Sequence, residues 1–470
     1  MTKKSLTFVS VSLLLSALLL VGCGRGSGGY FGGMAASAGP SNVTVMMTDT
    51  PPPGVTILSF EITVTAATLN PGNVQLVTAP HRIEVKRLET ESAFLAAIDV
   101  PAGTYQSVTV MLANPELTFL NQSNAAIGTC QVNTVCEVES NATGSITFSG
   151  SPFPVMLSAN DSTGFLVDVN LSNIITSTLG VDFTAANAIT VTQLTKKPEG
   201  DLDNLDDLKG VVQNLDATNK KFTLHTVQGD FQITTDDKTE FESEVCGANN
   251  FSCLQNSQVV GVDARIMAGG VFLAKKIEFE DDAVDDELEG VISKIDDSTH
   301  FEMVVLDELR AMNSVNVGNP IVVTLNSGAS FKVKTDGLSV PSALQAAFEG
   351  ATDTSQLVQG QVVQVQVVGS VNVGPPIAVT TSRVRLRFSQ FTATVSGTPV
   401  PPNFTVGSLP PLFTNPGITS VHVQTSSKTD FDGVSDVSGL ADGNTVSLRG
   451  LLFKSGANPP ELIARKVRKR

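Results

Sequence analysis

The 470-residue sequence has no tryptophan, two tyrosines and only four histidines. His81, His225, His300 and His422 stand in four separate segments, so they do not suggest a shared metal or catalytic site. No serine lies in a nucleophile-elbow motif, and neither His-Glu-x-x-His nor a phosphate-binding glycine loop occurs. These absences argue against most enzyme classes. We expect a protein without a catalytic residue, a cofactor or a dedicated metal site.

Basic residues are also in the minority, with 30 Lys and Arg against 46 Asp and Glu and a net charge of −16. A chain of this charge repels polyanions, which argues against nucleic acid as a partner. The basic end, Arg465 to Arg470, is the exception. We expect it to be the end of a strand with a basic tail.

Long apolar runs are confined to one segment, Leu6 to Val21, which follows Lys3 and Lys4. Its length suits the core of a signal peptide and falls short of the roughly 20 residues that span a bilayer. The segment ends in Leu20-Val21-Gly22-Cys23, which resembles the lipobox of bacterial lipoproteins. The resemblance implies that residues 1–22 are removed and that Cys23 carries a lipid. The alternative is an ordinary signal peptide or an uncleaved anchor with an incidental cysteine.

The residue after Cys23 is Gly24 and not aspartate. By the sorting rule of lipoproteins in two-membrane bacteria, this resemblance favours the outer membrane over the inner one. We therefore expect a protein that is lipid-anchored in the bacterial cell envelope. Residues 23–41 are rich in glycine, serine and alanine, which predicts a flexible tether.

The four remaining cysteines form two close pairs, Cys130 with Cys136 and Cys246 with Cys253. In an oxidising compartment, each pair is expected to close a small loop as a disulfide. A metal site would need further His or Cys ligands at suitable spacing, and none stands nearby.

Apolar residues alternate with polar ones from Asn42 onward, as in Phe60, Ile62 and Val64, and turn signals separate the runs. This period of two predicts many short strands, and hence an all-β protein that begins with an antiparallel β-sandwich over residues 42–195. One exception is expected, because Glu91 to Ala97 could form two helical turns. Asp49, at the end of the first strand, is expected to accept hydrogen bonds from turn amides.

Three motifs in this region resemble successive blocks of one family of bacterial lipoproteins, the domain of unknown function 4382. They are Val45 to Pro51 (VMMTDTP), Val100 to Tyr105 (VPAGTY) and Phe165 to Leu171 (FLVDVNL). The resemblance covers about residues 42–195. The family has no established activity, so it implies a place in the envelope without a chemistry.

Two acidic segments, residues 196–207 and 278–289, are predicted to be solvated linkers because they are rich in charge and poor in apolar residues. Their carboxylates are weak candidates for calcium, which requires six to eight oxygen ligands. The candidates are Asp201, Asp203, Asp206, Asp281, Asp282 and Asp285.

The second half of the chain repeats itself, with Gly210-Val211-Val212 echoed by Gly290-Val291-Ile292 and Lys238-Thr239-Glu240-Phe241 echoed by Lys428-Thr429-Asp430-Phe431. We predict three repeats, over residues 208–281, 282–390 and 391–470. They resemble the domain of unknown function 5666. Repeats of this size with five or six strands suggest small closed β-barrels. The middle repeat carries an insertion, Leu338 to Gly350, that is predicted to be a short helix.

The leading functional hypothesis is therefore a lipid-tethered envelope protein with a non-catalytic binding or structural role. Its partner would be another envelope protein or a polysaccharide, besides the membrane that holds its lipid. The scarcity of aromatic rings weakens the polysaccharide version, since sugars commonly stack on such rings. Two alternatives stay open: an accessory or hydrolytic enzyme of envelope polysaccharide with a carboxylate site between domains, and a calcium-responsive spacer.

The anchor can be tested by replacing Cys23 with serine. We expect the Cys23→Ser variant to leave the membrane fraction and to lose metabolic labelling with palmitate, because serine offers no thiol for the lipid. Fractionation and labelling of the wild type provide the control. A variant that stays in the membrane fraction and carries the label would contradict the assignment.

Overall fold

Short strands with alternating apolar residues form the N-terminal part of the chain. The computed structural model describes residues 39–50, 56–176, 178–197, 200–226, 229–243, 246–279, 287–309, 315–456 and 459–470. Cys23, the apolar N-terminal segment and most of the predicted tether lie outside this range. The first strands are β1 (Ser41–Thr50), β2 (Thr56–Asn70), β3 (Val74–Val77), β4 (His81–Glu84), β5 (Ala93–Val100), β6 (Gly103–Tyr105), β7 (Ser107–Leu120), β8 (Val135–Glu139), β9 (Thr143–Phe148), β10 (Val155–Leu157), β11 (Ser162–Asn170) and β12 (Ile189–Leu194).

Ten of these strands build a two-sheet sandwich, and β6 and β10 pair with each other in a separate two-stranded sheet. One sheet has the order β12-β11-β1-β5, and the other has β3-β2-β7-β8 with β4 beside β2 and β9 beside β7. Phe60, Phe119 and Phe165 are among the buried side chains of the core between them. Strand β1 runs parallel to β11, while the other described pairings of the sandwich are antiparallel. The expected antiparallel sandwich is therefore a mixed one.

The helix expected at Glu91 to Ala97 does not form. Residues from Ala93 onward belong to β5, which pairs with β1 and buries Ala93 and Leu95. The helical turns of this part are a 3₁₀ turn at Val85–Glu89 and α1 (Leu171–Ile174). Strand pairing across the sheet thus overrides a weak local preference for helix.

Strand β1 is buried on both faces. Val45 and Met47 point into the sandwich core, whereas Met46 packs into the core of the next domain. Phe94 on β5 extends this second contact, because its ring lies edge-on to Phe272, with a centroid distance of 4.8 Å. The sandwich and the domain that follows it therefore share an apolar interface.

The remainder of the chain forms three closed β-barrels within the described residues. Barrel 1 consists of β13 (Asp201–Asp216), β14 (Lys221–Thr226), β15 (Gly229–Thr234), β17 (Val259–Met267) and β18 (Val271–Phe279), with β16 (Glu240–Glu242) beside β18. Barrel 2 consists of β19 (Glu287–Ile295), β20 (His300–Leu309), β21 (Pro320–Val333), β22 (Val362–Asn372) and the first part of β23 (Ile377–Val395). Barrel 3 consists of the second part of β23, β24 (Asn403–Gly407), β25 (Val421–Gln424), β27 (Thr445–Phe453) and β28 (Glu461–Lys469), with β26 (Asp430–Asp432) beside β28.

The barrels share one topology. In each, the first strand pairs with the second and fourth, and the third strand closes the ring by a parallel pairing with the fifth. This is the arrangement of the five-stranded Greek-key barrel known as the OB fold. The prediction of an all-β protein with a sandwich followed by barrel-like repeats is confirmed.

Local features of the repeats also recur. Gly210 and Gly290, in the first strands of barrels 1 and 2, stand where a Cβ atom would collide with the carbonyl oxygen of His225 or Val304 on the neighbouring strand. Each barrel also has a 3₁₀ turn before its fourth strand, capped by the side chain of Asn250, Asp353 or Asp436. The predicted helix of the middle repeat is confirmed as α2 (Ser342–Glu349), and barrel 3 contains α3 (Pro411–Thr414).

The first acidic linker is not a solvated hinge beyond residue 200. Strand β13 begins at Asp201 and pairs with β17, which buries Leu202 and Leu205. In the second acidic segment, residues 280–286 lie outside the described part, while Glu287 and Glu289 are buried in β19. Local composition predicted that these charged segments would be exposed. Strand pairing with distant parts of the chain and ion pairs bury them instead.

A buried ion network centred on Glu289 joins three parts of the fold. Its carboxylate lies 3.2 Å from Arg387 of barrel 2, 3.4 Å from Lys209 of barrel 1 and 3.6 Å from Arg87 of the sandwich. Arg87 also contacts Asp307, at 2.9 Å. Because these charges are removed from water, each depends on its partners.

We predict that the Glu289→Gln variant lowers the free energy of unfolding by about 3 kcal/mol, because it removes the carboxylate that Arg387, Lys209 and Arg87 share in the buried network. Chemical unfolding followed by circular dichroism measures the change. The matched control is Asp237→Asn, which breaks the exposed Lys220–Asp237 pair and should cost less than about 1 kcal/mol. Equal losses in the two variants would contradict a structural role for the network.

Candidate functional site

A cavity of about 500 Å³ lies where the sandwich, barrel 2 and barrel 3 meet. We call it the junction cavity. The start of β2 lines it from the sandwich, Val291 and Leu306 from barrel 2, and β23 and α3 from barrel 3. Its volume is within the range of about 300–1,000 Å³ that is usual for small-molecule sites.

Most of the wall of the junction cavity is apolar. The side chains that form it are buried or half-buried, and barrel 3 supplies the aromatic ones. The apolar lining residues are Ile57, Leu58, Leu171, Val291, Leu306, Val362, Phe391, Ala393, Leu409, Pro410, Pro411, Leu412 and Phe413. Ser408 and Thr445 also line the cavity and are exposed, so they mark its mouth.

One end of the junction cavity is polar. Lys86 and Glu89, from the 3₁₀ turn that precedes β5, stand there beside Gln390 and Thr392 of β23. Gln390 links the turn to barrel 3 by two hydrogen bonds. Its side-chain Nε2 donates to the carbonyl of Lys86 at 2.8 Å, and its Oε1 accepts from the hydroxyl of Thr90 at 3.0 Å. We call these four residues, Lys86, Glu89, Gln390 and Thr392, the polar end.

Glu89 is the acid of the polar end and is only 1% exposed. Its Oε1 accepts a hydrogen bond from Lys86 Nζ. Its Oε2 is buried and has no hydrogen-bond partner in the part of the chain that the structure describes. A buried carboxylate oxygen without a hydrogen-bond donor carries a desolvation cost.

Asp49 lies close to this acid and was expected to bond to turn amides. It is fully buried, and neither carboxylate oxygen has a hydrogen-bond partner among the described residues; the turn that follows it, residues 51–55, lies outside them. Burial, followed by the charge of Glu89, raises the pKa of Asp49 well above its ordinary value. Arg470 lies alongside and donates to the backbone carbonyls of Asp49, at 3.0 Å, and of Glu89, at 2.6 Å.

The structure forms both predicted disulfides, Cys130–Cys136 and Cys246–Cys253. The first closes the loop before β8, and the second spans the 3₁₀ turn of barrel 1. Both support the interpretation of close cysteine pairs as loop closures and not as metal ligands.

The described calcium candidates already have partners. Asp201 is buried and pairs with Lys197 at 3.5 Å, and Asp203 accepts a hydrogen bond from the amide of Asn204. The side chain of Asp206 and residues Asp281, Asp282 and Asp285 lie outside the described part. The histidines stay apart on β4, β14, β20 and β25, and His225 and His300 contact aspartates close to them in sequence.

A row of glutamates crosses the second sheet of the sandwich. Glu84, Glu61, Glu116 and Glu139 are directly opposite one another on β4, β2, β7 and β8. Arg82 forms ion pairs with Glu61 and Glu116. Burial and the neighbouring carboxylates Glu84 and Glu116 raise the pKa of Glu61 to about 8, although Arg82 opposes the shift.

At one end of this row, carboxylate oxygens of Glu116, Glu137 and Glu139 lie within 4.8 Å of one another. Burial and the adjacent Glu116 raise the pKa of Glu137 to about 7. The spacing could suit a cation, but Arg82 already pairs with Glu116 and Asn319 donates to Glu137 at 3.2 Å. Nothing besides the carboxylates marks this place as a metal site.

A second close acid pair, Glu278 and Asp336, lies where barrels 1, 2 and 3 meet. Burial and the nearby Asp336 raise the pKa of Glu278 to about 8. The pocket beside the pair has a volume of about 10 Å³. That is room for about one water molecule and not for a sugar ring.

None of the polar-end residues was predicted from the sequence. Glu89 and Gln390 are about 300 positions apart in the chain, and neither belongs to a motif. The one local signal was Glu89 itself, an acid followed by the start of a strand. Its burial depends on barrel 3, which only the folded chain brings to it.

The architecture defines a class of all-β proteins in which a two-sheet sandwich precedes OB-like barrels. Residues 41–193 match the family model of a domain of unknown function, DUF4382, and residues 209–278 match that of a second one, DUF5666. These matches confirm the two resemblances in their order along the chain, the second over the first of the three predicted repeats. No curated protein matches the sequence. Among the described residues, no helix has the length and apolar character needed to cross a membrane.

The raised pKa of Glu61 makes stability depend on pH. Because the folded state holds this proton more tightly than the unfolded chain, its contribution is complete below about pH 4.5 and is lost as the pH rises through about 8. We predict that Glu61→Gln reduces the loss of unfolding free energy between about pH 5 and pH 8 by about 3 kcal/mol relative to wild type.

Urea unfolding at a series of pH values measures this difference. Glu349→Gln is the control, because Glu349 is an exposed carboxylate on α2 and should leave the pH profile unchanged. Parallel profiles for wild type and Glu61→Gln would contradict the assignment of the raised pKa to Glu61.

Proposed function

We propose that this protein is a lipid-anchored component of the bacterial cell envelope that binds a small, largely apolar molecule in the junction cavity without catalysis. The observation that carries the proposal is the cavity itself, with its largely apolar wall and the polar residues Lys86, Glu89, Gln390 and Thr392 in its lining. Pockets of this size and lining are the usual form of small-molecule sites.

The predicted lipid anchor and the two disulfides support the proposed location in the cell envelope. The Leu20–Cys23 motif resembles a lipobox, Gly24 favours the outer membrane, and both downstream cysteine pairs are joined, as is common outside the cytoplasm. A lipid on Cys23 would hold the cavity near a membrane, where apolar molecules are concentrated.

The enzyme alternative finds less support in the described residues. One acid pair with a raised pKa, Glu278 with Asp336, borders a pocket that has space for about one water molecule. Glycosidic acid–base chemistry needs two carboxyl groups on either side of a substrate bond in a cleft. The junction cavity, which has the space, contains one carboxylate in its lining, that of Glu89, among the residues described.

The calcium alternative is also weaker. Asp201 and Asp203 have protein partners, and the Glu116–Glu137–Glu139 group is already contacted by Arg82 and Asn319. Structural support for the binding role therefore comes from the cavity and not from the acidic segments.

The absence of tryptophan allows a direct test of the cavity. A Thr445→Trp variant places one indole at the mouth, and a Met156→Trp variant places one on the sandwich, at a side chain that is 74% exposed. We predict that decanol changes the emission of Thr445→Trp saturably and leaves that of Met156→Trp unchanged.

A variant that fills part of the cavity provides a second test of binding. Ala393→Leu, in the Thr445→Trp background, should weaken decanol binding because the larger side chain occupies part of the space. Thermal unfolding confirms that the variant is folded. A linear response in both reporters, or binding that Ala393→Leu does not affect, would contradict the proposal.

A further inference from the structure

We infer that the junction cavity selects amphipathic molecules with an anionic head that accepts hydrogen bonds, of which a carboxylate is the simplest, and that Lys86 binds this head. The inference rests on the proposed function and names the class of its ligand. Three features of the cavity support it: the accessibility of Lys86, the hydrogen bonds already made by the other polar side chains, and the apolar wall.

Lys86 is the accessible member of the ion pair at the polar end. Its side chain is 19% exposed, whereas that of Glu89 is 1% exposed. The Glu89 carboxylate lies close enough to the buried Asp49 to raise the pKa of that acid. A ligand in the cavity therefore reaches the lysine more readily than the acid.

The ammonium group of Lys86 has hydrogen-bond donors available for a ligand. A lysine side chain carries three N–H groups and no acceptor. Among the described residues, Nζ of Lys86 has one hydrogen-bond partner, Oε1 of Glu89. Lys86 is also the one cation among the described residues that line the cavity. A head group that enters here meets a positive group that can donate.

Three other polar side chains of the lining are held by protein partners. Gln390 uses both its amide nitrogen and its oxygen on the segment that carries Lys86. The hydroxyl of Thr56 donates to Gln122 and accepts from a backbone amide of α3. The hydroxyl of Thr392 lies 2.8 Å from a serine hydroxyl of β27. Recognition of a head group therefore depends mainly on Lys86.

The charge of Lys86 favours an anion over a neutral head and over a cation. A charge-assisted hydrogen bond is roughly twice as strong as a neutral one. An ammonium head would offer no acceptor and would bring a like charge to Lys86. Glu89 opposes an incoming anion, but Arg470 adds a second cation beside it, which donates to the backbone carbonyls of Glu89 and Asp49.

The apolar wall determines the rest of the ligand. Phe391 of β23 and Leu412 and Phe413 of α3 line the cavity from barrel 3, whereas Lys86 belongs to the 3₁₀ turn of the sandwich. An alkyl chain or a similar apolar body would cover the barrel 3 side chains while its head accepts from Lys86. Binding thus removes the apolar body from water and gives the ammonium group an acceptor.

The Thr445→Trp protein tests the head group directly. It is titrated with decanoate, decanol and decylamine below the concentrations at which they aggregate, at about pH 7, where the carboxylate and the amine are both charged. We expect decanoate to bind at least about tenfold more tightly than decylamine, with decanol between them. The three ligands share one alkyl chain, so the differences report the head group.

Variants of Lys86 and Glu89 in the same background assign the selectivity to the lysine. Lys86→Met should bring decanoate and decanol to within about threefold of each other while decanol binding stays near its original strength, because the donors and the charge are removed. Lys86→Arg retains both and should retain the order of the three ligands. Glu89→Gln should tighten decanoate binding, because it removes the opposing negative charge.

A matched control and a second variant keep the test decisive. Lys220→Met removes an equal charge at an exposed position of barrel 1 and should leave the wild-type order unchanged. Lys86→Met leaves the buried Glu89 without its cation, which is destabilising. Melting temperatures show whether the variant is folded, and the double variant Lys86→Met/Glu89→Gln removes both charges and should also lose the preference for decanoate.

The outcomes distinguish this inference from the proposed function. If the three ligands bind equally, if decylamine binds most tightly, or if the preference for decanoate survives both variants that carry Lys86→Met, the inference is wrong while the cavity remains a binding site. If none of the ligands gives a saturable response, the proposed function itself fails.

Discussion

The hydrogen-bond ladder along β23 is the constraint on which the second half of the molecule depends. This strand runs from Ile377 to Val395, pairs with β21 and β22 in its first part, and pairs with β24 and β27 in its second part. Both barrels need it to close, because an open barrel would leave unpaired strand edges. Barrels 2 and 3 therefore cannot separate without breaking a continuous strand, and the boundary expected at residue 390 falls inside it.

Around this strand, buried charges set how the domains dock. Arg383 and Arg387 of β23 pair with Glu287 and Glu289, and Glu289 also meets Arg87 of the sandwich and Lys209 of barrel 1. Such pairs recover little net free energy after desolvation, yet each mismatched arrangement would strand a charge. The network thus fixes the relative placement of the domains, while apolar contacts such as Phe94 with Phe272 supply the burial.

The junction cavity is a consequence of the same docking. Curved barrel surfaces and a sandwich edge do not fill the space between them, and β23 brings Phe391 and Ala393 to one side of it. The turn that carries Lys86 and Glu89 is held against β23 by Gln390. The residues that close the fold are therefore the neighbours of the candidate binding site, so changes in docking and changes in binding are expected to be coupled.

The sequence by itself determined the elements whose causes are local. Alternating apolar residues predicted the strands, close cysteine spacing predicted both disulfides, the Leu338 to Gly350 segment predicted α2, and short motifs predicted the two families. The tertiary structure alone decided that Ala93–Val100 is a strand, that Asp201 begins another, and that one strand serves two barrels. It also decided that Glu89 is buried at a cavity. The physical reason is the same in each case: these outcomes depend on pairing and desolvation by partners outside the local segment, such as β1 for Ala93–Val100 and β17 for Asp201, and local composition contains no record of those partners.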